Sequence, residues 1–220
     1  MKTVFIILLP FTLFFGCKGS LTQTSNPQTL SQPIHKLSKL PYNERLLIAV
    51  LEVSNHSDYF DIDKREILSS TVDSLLQTKH FRVVERSKIE LLFKEMELNE
   101  SGLLTDNIQE IGGMLGVDAI LIINIVDIQY SVRQSVYLEN VYKVNTVMNG
   151  RLINVHSGEV LSSAQVKDSV VYETSMLLHM AKMSEGVSKS ALMQDGVDSG
   201  LNKLINKLAE DTPRKSEILL

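Results

Sequence analysis

The chain has 220 residues, long enough for one compact domain plus tails and too short to make two domains the expectation. Hydrophobic residues at 44% and charged residues at 22% are ordinary globular values, so a packed core is expected. The net charge of −4 offers no general footprint for nucleic acid or for acidic membranes, and no nucleic-acid partner is expected.

At the start of the chain, Lys2 gives a positive n-region and residues 4–15 an apolar stretch that ends at Gly16-Cys17. About a dozen apolar residues are too few to span a bilayer comfortably, so residues 1–16 read as a signal peptide. Cys17 is the only cysteine and stands where such a peptide is cut. A structural thiol or a disulfide needs a core position or a partner, and Cys17 has neither. Its placement points to a lipoprotein whose new N-terminal cysteine carries acyl chains such as palmitate, with plain secretion as the alternative because Phe14 stands where the motif usually has Leu. Each buried methylene would contribute roughly 0.8 kcal/mol, so several chains anchor firmly. Lys18 is not the Asp that resembles an inner-membrane retention signal, and the expected location is the outer membrane, periplasmic side.

Residues 17–40 then form the lipidated N-terminus and a tether rich in Ser, Thr, Gln, Asn and Pro, with too few spaced apolar residues to bury a face. A domain over residues 41–212 follows. Residues 45–53 are almost continuously apolar, as in a strand buried on both faces with helices on the sheet. The loop 54–64 carries Asp58, Asp61 and Asp63, but lacks the spacing of an EF-hand, so Asp61 or Asp63 is read as the cap of the next helix. That helix places Leu68, Val72, Leu75 and Leu76 on one stripe. Residues 80–86 read as a second strand. Ser87-Lys88-Ile89-Glu90 has the form of a capping box opening a helix that carries Ile89, Leu92, Phe93 and Met96. Ser101-Gly102 breaks it, and a third helix is predicted from near Asp106, with Ile108, Ile111 and Leu115 inward. Gly112-Gly113 suggests close approach to a neighbour, and Gly116 suits the helix end.

Residues 117–123 begin apolar on both faces, as a central strand should, and from Asn124 the pattern alternates. Val126, Ile128, Tyr130 and Val132 share one side; Asp127, Gln129, Ser131 and Arg133 share the other. Residues 141–155 return, and His156-Ser157-Gly158 turns into a third antiparallel strand over 160–172, with Gly158 supplying positive φ. Met176, Met180, Met183 and Val187 recur at helical spacing and read as core filling rather than a ligand surface. A last long helix over about 184–210 carries Val197, Leu201, Leu204, Ile205 and Leu208; Thr212-Pro213 ends it, leaving residues 213–220 as a tail. The order β-α-β-α-α-β-β-β-α gives an α/β fold, a mixed sheet with helices packed on it and room for one extended β-hairpin.

Chemistry-bearing motifs are missing. The sequence has no phosphate loop, His-Glu-x-x-His, paired-cysteine site or Gly-x-Ser-x-Gly elbow, and His35, His56, His80, His156 and His179 lie far apart. No catalytic residue, metal or cofactor is expected, and the chain is read as a binding or assembly protein, not an enzyme.

Several stretches carry a resemblance. Residues 47–51 as first strand, Phe81-Arg82-Val83-Val84-Glu85-Arg86, Ser101-Gly102-Leu103 and residues 111–120 resemble the group of exported proteins that includes CsgG, the N-terminal domain of TolB, PelC and LpoB. Residues 157–163 and Asp195-Gly196-Val197-Asp198-Ser199-Gly200-Leu201 are similar specifically to the CsgG family. The resemblance implies a homo-oligomeric ring of outer-membrane lipoproteins that assembles or exports extracellular protein such as curli-type fibres, with hairpins forming a barrel and the first strand-to-helix loop narrowing it. Tyr59 and Phe60 are then the candidate pore or partner contacts. That loop is shorter than the family's constriction loop, and residues 172–193 are shorter than its second membrane hairpin. A periplasmic ring or accessory resembling PelC or LpoB, binding another envelope machine or a secreted protein without a pore, is the alternative.

Overall fold

A strand with apolar side chains on both faces must be covered on both, and β1 (Leu46–Asn55) is. In the computed structural model, which describes residues 39–57, 63–95, 108–134, 139–175 and 188–218, Leu46, Ile48, Val50 and Val53 enter one hydrophobic cluster. Ala49 and Leu51 enter a second cluster. β2 (Phe81–Val83) runs parallel to β1 on one side and β3 (Ala119–Gln134) parallel on the other. β4 (Glu139–Asn154) and β5 (Val160–Ser175) continue as an antiparallel meander, giving the order β2-β1-β3-β4-β5.

The order explains where the helices lie. α1 (Lys64–Thr78) connects β1 to β2 in one direction across the sheet, whereas α2 (Arg86–Glu95) and α3 (Ile108–Leu115) fall in the connection that returns past β1 to β3. Right-handed crossovers in opposite directions place their helices on opposite faces. Accordingly Ile67 and Leu75 of α1 join the first cluster, and Ile89, Phe93, Ile108 and Ile111 the second. α4 (Lys189–Asp211) lies with α1, its Val197, Leu201, Leu204, Ile205 and Leu208 fully buried as the spacing predicts.

Local chemistry sets several boundaries. Asp63 caps α1, accepting from the Arg65 N–H at 2.9 Å, and Ser188 caps α4, accepting from the Ala191 N–H at 3.1 Å. α4 therefore starts at Lys189, later than the predicted 184. α2 starts at Arg86, one residue before the predicted cap: Glu90 pairs with Arg86 at 3.0 Å, and the Ser87 hydroxyl turns to Glu85 at 3.5 Å. Gly116 and Gly158 have φ of +64° and +75°, as their positions at a helix end and a turn predict. A Cβ on Gly112 would stand 2.3 Å from Val155 Cγ2, so α3 does approach the β4–β5 turn closely there; Gly113 has nothing within 4 Å.

Two differences from the sequence reading concern helix faces and the C-terminus. The buried stripe of α1 is Ile67, Thr71, Ser74, Leu75 and Thr78, rotated by one residue from the predicted one, and Leu76 is 43% exposed. Thr71 and Thr78 hydroxyls bond the carbonyls of Ile67 and Leu75 at 2.8 and 2.7 Å, and Ser74 donates to Asn202 of α4 at 2.7 Å. Small side chains with satisfied hydroxyls let the two helices approach. The predicted tail contains α5 (Lys215–Ile218), tied down by Lys215, whose Nζ lies 2.8 Å from both carboxylate oxygens of Asp118. The second Asp118 oxygen also accepts from the Leu47 N–H at 2.8 Å, so one carboxylate joins β1, β3 and the C-terminus.

Candidate interaction surface

The sequence-derived site residues Cys17, Tyr59 and Phe60 lie outside the described residues, as do the tether up to residue 38, Asp58, Asp61, the Ser101-Gly102 break, Asp106 and the stripe Met176, Met180, Met183 and Val187. Both ends of the loop that carries Tyr59 and Phe60 are pinned. The Asn55 side-chain oxygen accepts from the N–H and hydroxyl of Ser57 at 3.0 and 2.6 Å, and Asp63 holds the start of α1.

The β3–β4 hairpin bears on the two architectures that the sequence left open. Residues 126–134 of β3 run on past its last pairing with β1, Asn55↔Ile125, to about the length a membrane strand needs, 9 to 11 residues. A strand used that way must turn an apolar face to lipid. Here that face carries Ile128 and Val144, both buried under α4, with the half-buried Tyr130 and Tyr142 beside them. Contact is too close for a side chain between helix and sheet: a Cβ on Gly196 would stand 2.5 Å from Val144 Cγ1, and one on Gly200 2.7 Å from Thr146 Oγ1. At the N-terminal end of α4, Lys189 Nζ sits 5.2 Å from the Tyr130 ring centroid, and Asp195 accepts from the Tyr172 hydroxyl.

A charged cluster fastens the same contact farther along. Asp168 of β5, its side chain 3% exposed, accepts from Ser199 at 2.6 Å, from its neighbour's N–H (Ser169) at 2.8 Å, and from Lys203. Burial by itself would raise the Asp168 pKa, but the Lys203, Ser199 and Ser169 contacts outweigh it and hold the carboxyl below the usual carboxylate range. Tyr172 is pushed up, first by burial and then by the carboxylates of Asp195 and Asp168, so its phenol stays protonated. Across the strand from Asp168, the buried Thr146 hydroxyl has no hydrogen-bond partner among the described residues.

The opposite face of the meander is different in kind. Alternation places Asn124, Asn149 and Gln165 in one cross-strand row and Gln129, Asn145 and Ser169 in another, with Lys143, Arg151 and Lys167 between and beside them. All are exposed or half-buried. Val141, Val147 and Val171 share this face, but polar side chains outnumber them, so while α4 is in place neither side of the hairpin is the continuous apolar surface that lipid favours.

The sequence reading gave Asp168, Ser199 and Lys203 no role, because they come together only across the β5–α4 contact. Their one local signal was the small-residue stretch around Gly196 and Gly200. Among the described residues no group of three or more His, Cys, Asp or Glu is arranged to hold a metal, and no helix is long and apolar enough to cross a membrane.

The family model described as curli production assembly/transport component CsgG matches residues 34–217. A search of curated proteins returned no match. Among solved structures, the lipoprotein GNA1162 of Neisseria meningitidis is 19% identical, with 73% of this chain and 99% of that one covered at a TM-score of 0.44. The LpoB C-terminal domain of Salmonella enterica is 13% identical over 57% and 84% of the two chains, TM-score 0.42. A PelC dodecamer of Paraburkholderia phytofirmans is 16% identical over 89% and 99%, TM-score 0.36.

Proposed function

From the chain's membership of the CsgG family of curli production assembly/transport components, we propose that it is a lipid-anchored envelope protein, facing the periplasm from the outer membrane. It serves the assembly or secretion of extracellular protein such as curli-type fibres. It works by binding and self-association into a ring, not by bond-making. The observation that carries the choice of mechanism is α4 lying on the apolar face of the β3–β4 hairpin, which favours a ring or accessory without its own barrel over a conducting pore.

Cys17 supplies the anchor in this reading, and residues 18–40 let the folded domain stand off the lipid. Replacing Cys17 by Ser is expected to abolish palmitate labelling and move the protein out of the membrane fraction; unchanged fractionation contradicts the anchor. The pore reading, which family membership also supports, is separated by planar-bilayer recording with electron microscopy of the same detergent-extracted material. Closed rings that pass no current support a scaffold, and steady unitary steps overturn it.

A further inference from the structure

We propose that the edge of β1 beyond β2 is a docking site for an extended segment of a partner polypeptide, added to the sheet as a further strand. The segment is about six residues long, with apolar side chains at alternate positions.

β2 is short. It pairs with β1 only at Leu46, Ile48 and the residue between, and the Val84 N–H bonding the Ile48 carbonyl at 3.0 Å is the last main-chain bond from that side among the described residues. β1 nevertheless continues to Asn55, paired on its other side with β3 throughout. The register shift between Val50 and Glu52 inserts one residue. Before it, Ile48 and Val50 direct their main-chain groups toward the β2 side; after it, the His56 N–H bonds Ile125 of β3 at 2.9 Å, so alternation directs those of Val53 away from β3. The added residue therefore keeps Val50 and Val53 aimed at the same side, where no main-chain group among the described residues pairs with them. Between them the Leu51 carbonyl accepts from the Arg86 guanidinium at 3.4 Å, a long contact that a strand amide could replace.

A groove of about 1420 Å³ runs along this edge between α1 and α2. Its α1 wall is the stripe Leu68, Val72 and Leu76, the side chains that sequence spacing assigned to the core and that the rotation of α1 leaves half-buried or exposed. The side toward α2 is mixed, with Glu85, Arg86 and Glu90 at the rim and Val84 and the buried Ile89 beneath them. Successive side chains of an added strand point alternately to the two walls, so an alternating apolar and polar segment fits both. Acids and bases on the rim are balanced, with Asp63, Glu85 and Glu90 against Lys64, Arg65 and Arg86, and recognition rests on main chain and shape more than on charge. A second copy would have to present β5, whose one face is occupied by α4, to a recess walled on both sides; a single extended chain fits without that obstruction.

The probe is a fluorescein-labelled ten-residue peptide of alternating Val and Thr or Lys, measured by fluorescence anisotropy on the full mature chain in detergent. Two N-methylated versions carry the blocks on alternate sets of amides. Strand addition predicts that one set weakens binding by about tenfold or more while the other leaves it unchanged, and that Leu76→Lys or Val72→Lys weakens it by a similar factor. Because Leu76 is already 43% exposed, its variant keeps the native circular dichroism and melting temperature. Equal binding of both N-methylated peptides, no binding at millimolar concentration, or a Leu76→Lys effect confined to the oligomeric state each overturns the proposal, the last by assigning the groove to a second copy.

Discussion

The two halves of the sheet solve the same covering problem in different ways. In the parallel half, β1 and the first part of β3 are sealed between two helical layers, and their side chains are apolar on both sides. In the meander, α4 covers one face, while among the described residues α3 reaches the other only at its turn end, around Ile153 and Val155, and beyond that end apolar and polar side chains alternate. The parallel half is therefore scaffold. The meander divides within each strand into residues that hold α4 and residues that are free to meet another molecule.

That division can be broken from either side. The largest effect is expected at Leu204, which is fully buried in α4 and packs over Gly150: Leu204→Ala should cost about 2–5 kcal/mol in urea denaturation. Next is Gly200→Ala. Helix propensity alone predicts a gain of about 1 kcal/mol, but the new Cβ would stand 2.7 Å from Thr146 Oγ1, and overpacking costs about 1–3 kcal/mol. A net loss is expected, and a net gain would mean that helix and sheet are not in contact there. Asp168→Asn should follow at about 1–2 kcal/mol near neutral pH, toward the lower end because the partner Lys203 is 58% exposed and can turn to water.

The Asp168 contribution has a pH signature. A carboxyl whose folded value lies below its unfolded value contributes fully above the unfolded value of about 3.9, and that contribution is lost as pH falls through the folded value. The gap between wild type and Asp168→Asn should accordingly narrow in denaturation curves taken below about pH 4; a constant gap contradicts the assigned cause. Smallest is Gln165→Ala on the uncovered face, expected within about 0.5 kcal/mol of wild type.

Much of this was legible in residue patterns. Continuous apolar runs marked β1 and the start of β3, the switch to alternation at Asn124 marked the uncovered face, and Val197 to Leu208 marked the buried side of α4. Glycines at positions 112, 116 and 158 behaved as their chemistry predicts. The α1 stripe was misplaced because it was drawn through apolar side chains alone; Thr71, Ser74 and Thr78 are buried through bonds that no periodicity reveals. Residues 213–220 were read as a tail because Lys215 and Asp118, which tie it down, are 97 positions apart in sequence. The cluster at Asp168 and the groove beside β1 escaped for the same reason, since each exists only once distant elements pack.

Hydrogen exchange with mass spectrometry on the lipidated chain, reconstituted in liposomes and compared with the same chain in detergent, tests the central claim most directly. With α4 seated on the hairpin in both settings, residues 189–211, 126–134 and 139–146 should show the same protection. Loss of protection across α4 together with a gain along the hairpin, seen only in liposomes, would mean that the helix leaves and the strands enter the bilayer.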